Sequence, residues 1–146
     1  MEVVIMWTYE YSVTANCTPQ DVWACYADPS VWPEWDAEIK ELTLEGPFAA
    51  GVAGTMSLHH LPPMALTVTV VLPHAEFRTE TRMPDGTLIR FVYLLAAPDG
   101  GGTRITHRVE IEGPAAGTEF GDSVAAPVPD TLRKLARVAD ARARRA

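Results

Sequence analysis

The sequence predicts an α+β protein: an antiparallel sheet, two short helices after its first strand, and one long C-terminal helix packed on the sheet. Three observations predict it. Segments of apolar/polar alternation follow one another, separated by turns of hairpin type such as Asp85-Gly86 and Asp99-Gly100-Gly101-Gly102. A capped, proline-punctuated helical stretch interrupts them early, between Thr18 and Trp35. After Pro129, residues Leu132, Leu135, Val138 and Ala139 form an apolar stripe of 3.6-residue period. Consecutive hairpins require antiparallel pairing, and a terminal amphipathic helix must bury its stripe on the sheet.

Each element has its own justification. Trp7 to Thr14 alternates, with Trp7, Tyr9, Tyr11 and Val13 on one face, which is the pattern of a half-buried strand. Thr18 then offers a hydroxyl N-cap, Pro19 suits the first helical position, and Asp21 places negative charge in the first turn. Val22, Trp23, Tyr26 and Ala27 give this helix its apolar face. Pro29 and Pro33 break it, and a second helical turn is expected around Ser30 to Trp35. From Ala37 to Gly46, Ile39, Glu41, Thr43 and Glu45 oppose Lys40, Leu42 and Leu44, so either face of that strand qualifies as the inner one. Gly46-Pro47 and Gly51 to Gly54 mark a loop.

Thr55 to His60 reads as a strand stopped before Pro62-Pro63, and Met64 to Leu72 as the next, rich in β-branched residues and closed by Pro73. In Ala75 to Arg82, Glu76, Arg78, Glu80 and Arg82 are expected outward and Phe77, Thr79 and Thr81 inward. Leu88 to Ala96 follows. The last strand, Thr103 to Glu112, turns Arg104, Thr106, Arg108 and Glu110 out and Ile105, His107, Val109 and Ile111 in. Ala115 to Ala126 is weakly helical, loosened by Gly117 and Gly121. The long helix is expected to open at Pro129 or Asp130 and to run to about Arg144.

A chain of 146 residues is about one domain, here residues 1–146. At that length a domain buries roughly two-thirds of its extended-chain surface and needs no staples. No apolar run approaches the roughly 18 residues of a membrane-spanning helix. The first residues, MEVVIMWTYEYS, lack a basic leader and cleavage site, so a cytoplasmic location is expected. Cys17 and Cys25 match neither a zinc pattern nor a disulfide framework and read as reduced thiols. The net charge of -7 is uneven. Six of the twelve basic residues lie after Pro129 against Asp130 and Asp140, so that tail carries +4 and the remainder -11. An acidic body argues against nucleic-acid binding. The basic tail reads either as an anion-attracting surface or, more simply, as the solvated face and C-terminal end of a helix.

Several of these segments also resemble a known family. Thr18-Pro19-Gln20-Asp21-Val22-Trp23, Asp28-Pro29, Trp32-Pro33-Glu34-Trp35-Asp36 and, before the last strand, Gly102-Thr103-Arg104-Ile105-Thr106 resemble polyketide-cyclase-like proteins of the START (SRPBCC) superfamily. The resemblance spans nearly the whole chain. It implies the helix-grip fold: a curved antiparallel sheet wrapped around a long C-terminal helix, with a hydrophobic cavity between them. The motifs are structural and select no function. Pro127 and Pro129 depart from the family's unbroken last helix.

No nucleophile motif, phosphate loop or zinc spacing is present. His59 and His60 are adjacent on a strand, so they point to opposite faces and cannot easily share an ion; no metal and no cofactor are expected. His107, among Ile105, Val109 and Ile111, is the best polar candidate: a cavity histidine can orient a ligand or move a proton, while a core histidine would be satisfied by a backbone carbonyl or water. Tyr93 shares its face with Ile89, Phe91 and Leu95 if Arg90 points outward; if the faces are reversed, Arg90 enters the cavity. Consecutive antiparallel strands should make Tyr93 and His107 near neighbours. Phe77, Phe91, Tyr93, His107, Val109 and Trp35 are the expected ligand-binding residues, and His107 and Tyr93 the expected proton-transfer pair in an enzyme. Trp32 and Trp35 read chiefly as anchors for the short helices.

Three functions fit these observations: binding of a small hydrophobic, aromatic or polyketide-like molecule; polyketide aromatase/cyclase or dehydratase activity on one; or protein interaction, as in the Hsp90-activator relatives of the superfamily. Such a protein would work as a monomer or homodimer, without membrane insertion.

Overall fold

The computed structural model describes residues 6–145, so residues 1–5 and 146 of the expected 1–146 domain lie outside the described residues. The chain forms β1 (Met6–Ala15), α1 (Pro19–Ala27), a tight helical turn (Pro29–Val31), α2 (Trp32–Trp35), β2 (Ile39–Leu44), β3 (Ala53–Leu58), β4 (Met64–Leu72), β5 (Glu76–Arg82), β6 (Leu88–Ala96), β7 (Thr103–Glu112), α3 (Thr118–Ala125) and α4 (Val128–Arg145). The seven strands make one antiparallel sheet in the order β1-β7-β6-β5-β4-β3-β2. β2 to β7 therefore form a meander, and β1 is added beside β7. α1 and α2 carry the chain from one edge strand to the other. α4 lies over β1 and β7 and meets α1 and α2. This is the helix-grip fold. Among the described residues, no helix is long and apolar enough to cross a membrane.

Local chemistry explains the helical crossover. The Thr18 hydroxyl accepts from the Asp21 N–H at 3.2 Å while the Thr18 N–H donates to the Asp21 carboxylate at 3.1 Å, a reciprocal cap that starts α1. Asp28 caps the next turn by accepting from the Ser30 N–H and hydroxyl. Trp32 and Trp35 are 2% and 1% exposed. Their indole N–H groups donate to the carbonyls of Tyr26 (2.9 Å) and Cys25 (3.1 Å), so they bolt α2 onto the end of α1 as expected of anchors. Asp140 of α4 accepts from the N–H groups of Asn16 (3.1 Å) and Cys17 (2.9 Å), and the Thr103 hydroxyl donates to the Cys17 carbonyl at 2.7 Å. The β1–α1 junction is thus held from both sides, by α4 and by β7.

Among the differences from the sequence expectation, three have a clear local cause. In β2, Ile39 and Leu42 both point inward because the register shifts between Ile39 and Glu41, so neither alternating face is wholly the inner one. β3 begins at Ala53, two residues early, because Ala53 and Gly54 pair with Thr67 and Leu66. α4 begins at Val128, before Pro129. A proline in the first turn has no N–H to lose, so Pro129 opens the helix rather than breaking it. The weak helical segment condenses into α3. There Gly121 lies so close to the Trp7 indole that a Cβ would overlap the ring.

The Asp140 latch yields a test. Asp140→Ala leaves two backbone N–H groups without an acceptor and should cost roughly 1–2 kcal/mol, read as a lower urea midpoint at unchanged slope. An unchanged midpoint would mean that Thr103 alone holds the junction.

Candidate functional site

The inner face of the sheet is organised in cross-strand rows. One row runs Tyr11–His107–Tyr93–Phe77, each directly opposite the next. His107 and Tyr93 are thus brought together, with ring centroids 4.7 Å apart, and Tyr93 stacks on Phe77 at 3.9 Å. The neighbouring row is Tyr9–Val109–Phe91–Thr79, and the next is Trp7–Ile111–Ile89–Thr81. No position in these rows carries a charged side chain. The guanidiniums and carboxylates of the same strands lie on the opposite face. There Arg90 bonds Glu80 at 2.9 Å and Glu110 at 2.8 Å, which settles its outward orientation.

The helices close the first row from above. α1 places Tyr26 so that its hydroxyl lies 2.8 Å from His107 Nε2. The Tyr26 ring sits 4.7 Å from Phe77 and 5.6 Å from both Trp35 and Tyr93. Trp35 lies 6.2 Å from His107. Aromatic side chains therefore fill this end of the grip by packing on one another. At the other end the filling is looser: Trp7, Tyr9 and Phe91 of the sheet and Phe120 and Val124 of α3 are only partly buried.

This arrangement sorts the expected ligand-binding residues. Phe77, Val109 and Trp35 are at most 1% exposed and form the wall behind the site. His107 and Tyr93 keep 4% and 7% of their surface, and Phe91 is half-buried beside them. Sequence reasoning placed Tyr26 on a purely apolar helix face and so missed its polar role. A signal existed: a buried tyrosine hydroxyl needs a partner, and an inward histidine can supply one.

Asp36, at the end of α2, was also missed. It accepts from the Glu38 N–H at 3.0 Å and is half-buried.

The electrostatics of the site are set by burial. Burial pushes the His107 pKa down to about 3, so the imidazole is neutral at physiological pH. Burial raises the Tyr26 phenol. Burial, with a further contribution from the Asp36 charge, raises that of Tyr93. Asp36 itself is pushed up to about 6 by burial, with the hydrogen bond from the Glu38 N–H and, less, Lys134 opposing the shift. Burial also lifts the Cys17 and Cys25 thiols to about 12 and about 11, with Asp140 adding to the Cys17 shift. Both stay protonated at neutral pH and are poor nucleophiles. His59 and His60, expected at the end of a strand, instead lie exposed just beyond β3, which stops at Leu58, so strand alternation does not set their directions. Among the described residues no group of three metal-ligating side chains converges.

A family profile described as polyketide cyclase / dehydrase and lipid transport matches residues 6–140. The chain belongs to that family. Solved structures share its fold at low identity. Ara h 8.0201 superposes with a TM-score of 0.73 at 13% identity, over 92% of this chain and 97% of its own. Norcoclaurine synthase from Thalictrum flavum, solved with dopamine and hydroxybenzaldehyde, gives 0.69 at 10% identity, over 92% and 87%. DynU16, from the dynemicin biosynthetic locus, gives 0.70 at 18%, over 89% of this chain and 46% of its own. No curated protein matches the chain.

The two perturbed groups next to the site act on stability with opposite sign. His107 has a lowered folded pKa, so between about 6.5 and about 3 the unfolded chain binds the extra proton and stability falls as pH falls. Asp36 has a raised folded pKa, so its burial costs stability above about 6 and not in acid. Asp36→Asn keeps an acceptor for the Glu38 N–H and removes the buried charge. It should raise stability at pH ~8 by about 1–2 kcal/mol, the gain shrinking as pH falls from about 6 through about 3.8 and vanishing near pH ~3. Equal shifts at both pH values would show that Asp36 is not desolvated.

Proposed function

We propose that this family member binds a small hydrophobic molecule, aromatic or polyketide-like, whose polar atom is held by Tyr93 and His107. One observation carries the reading: an uncharged, inward-facing polar pair stands at the edge of a half-buried aromatic floor of Phe91 and Tyr9, bordered by Tyr11, whose hydroxyl accepts from Arg133 of α4 at 2.9 Å. Every charged group of the surrounding strand rows is on the other face. A site of this composition favours ring or chain carbons and can fix one oxygen. The family description fits it, as does the small aromatic pair seen in norcoclaurine synthase. Phe77, Val109 and Trp35 serve as rigid backing.

A second reading, aromatase/cyclase or dehydratase activity, is favoured by one feature. Tyr26, His107 and Tyr93 form a continuous group of titratable side chains with a neutral imidazole in the middle. A neutral imidazole can take a proton from one oxygen and return it to another. In this reading the pocket supplies most of the rate by holding a reactive chain in a folded shape.

Native mass spectrometry of the purified protein, followed by titration with acetonaphthone as a two-ring aromatic ketone, tests the binding reading. Tyr93→Phe should weaken acetonaphthone binding roughly five- to tenfold, the worth of one hydrogen bond, with the melting temperature nearly unchanged. Intact binding together with a lowered melting temperature would place Tyr93 in the core alone. Time-dependent conversion of a polyketone probe that stops in His107→Gln would favour the enzyme over the binder.

A further inference from the structure

We infer that Tyr26 sets the hydrogen-bonding sense of the site: its hydroxyl donates to His107 Nε2, fixing the imidazole as the Nδ1–H tautomer, so that His107 and Tyr93 both act as donors to an acceptor oxygen on the ligand. The tautomer stands on the Tyr26–His107 geometry and on the burial of the pair. The ligand class, a neutral molecule bearing a carbonyl or ether oxygen, rests in addition on the binding reading above.

A phenol has one hydrogen to place, and Tyr26 is wholly buried. Around its ring stand the carbon faces of Phe77, Trp35, Tyr93 and Trp23. The two nearby indole N–H groups are already committed, Trp32 to the Tyr26 carbonyl and Trp35 to the Cys25 carbonyl, so neither can donate to the phenol or the imidazole. Among the described residues the hydroxyl's partner is Nε2, at 2.8 Å. Were Nε2 protonated, two hydrogens would face each other, or the phenolic hydrogen would be turned onto carbon. A donor buried without an acceptor is the costlier fault. With the phenol donating, both atoms are satisfied.

The imidazole carries a single hydrogen, because burial keeps it neutral, and that hydrogen must then sit on Nδ1. No sealed side-chain nitrogen or oxygen among the described residues lacks a partner. Nδ1 has none there and therefore keeps a share of the 4% of His107 that remains accessible. Tyr93 adds a second protonated donor one strand away, directly opposite in register. Two neutral donors select an acceptor oxygen. Tyr26 touches the imidazole and not the ligand, so it is a positioning residue.

Nitrogen NMR of the ligand-free protein carrying isotopically labelled histidine reads the tautomer directly. The resonance is assigned by its loss in His107→Gln, and the exposed His59, His60 and His74 serve as internal references. His107 should show a bare Nε2 and a protonated Nδ1. In Tyr26→Phe the population should move toward Nε2–H. A protonated Nε2 in the unsubstituted protein overturns the assignment, and so does a tautomer that ignores Tyr26→Phe.

The ligand arm compares acetonaphthone with isopropenylnaphthalene, its hydrocarbon isostere. The unsubstituted protein should prefer the ketone by about tenfold. Tyr26→Phe should erase most of that preference while leaving the hydrocarbon's affinity unchanged. Equal affinities in the unsubstituted protein overturn the donor role. If neither naphthalene binds, the ligand class falls with the binding reading, while the NMR result decides the tautomer on its own.

Discussion

The register between β1 and β7, ten residue pairs from Met6 opposite Glu112 to Ala15 opposite Thr103, is the constraint from which the site follows. It places the first strand beside the last. The chain must then cross the whole sheet before β2 can begin at the far edge, and α1 and α2 are that crossing. The same register sets Tyr11 beside His107 and leaves α1 directly above the His107–Tyr93 row. Asp140 and Thr103 grip the point where the crossing starts, and the two tryptophans grip the point where it ends. Tyr26 thus reaches His107 from a helix tied at both ends.

Much of this was legible in the sequence. Alternation placed His107 and Tyr93 on one face, and the Asp99-to-Gly102 turn made them neighbours, because pairing between consecutive strands is local information. The cap at Thr18 and the hairpin at Asp85-Gly86 are likewise written in a few adjacent residues. What could not be read is non-local or irregular. The bulge in β2 defeats a strict two-residue period, so the inner face of that strand had no answer until Leu42 was seen buried beside Ile39. Tyr26 and His107 are 81 positions apart. Within its own helix Tyr26 is merely one of several apolar residues, and only the assembled fold shows which hydroxyl meets which nitrogen. Asp36 was hidden for a similar reason, since an acid at the end of a helical turn reads as exposed until the fold half-buries it.

The structural relatives share 10–18% of their residues with this chain, yet their folds overlay on about nine-tenths of it. Conserving the frame does not require conserving its filling. In this protein the α1/α2 end is packed solid with Trp23, Tyr26, Trp35, Phe77 and Tyr93, while the α3 end is lined by partly covered rings. A dense end gives rigid positions to the polar atoms, and a loose end leaves apolar surface for a guest.

The ion pairs on the convex face have a meaning beyond surface chemistry. Arg90 is clasped by Glu80 on one neighbouring strand and Glu110 on the other, with Glu112 at 3.7 Å. Each pair adds little to equilibrium stability where water can compete. Misfolded alternatives fare far worse. Sliding β6 by a single residue would drive this guanidinium into the greasy interior and expel Phe91 and Tyr93 into water. The ladder therefore marks the outer face of the central strands: a one-residue slip, which reverses the faces, loses the ion pairs and the aromatic row together.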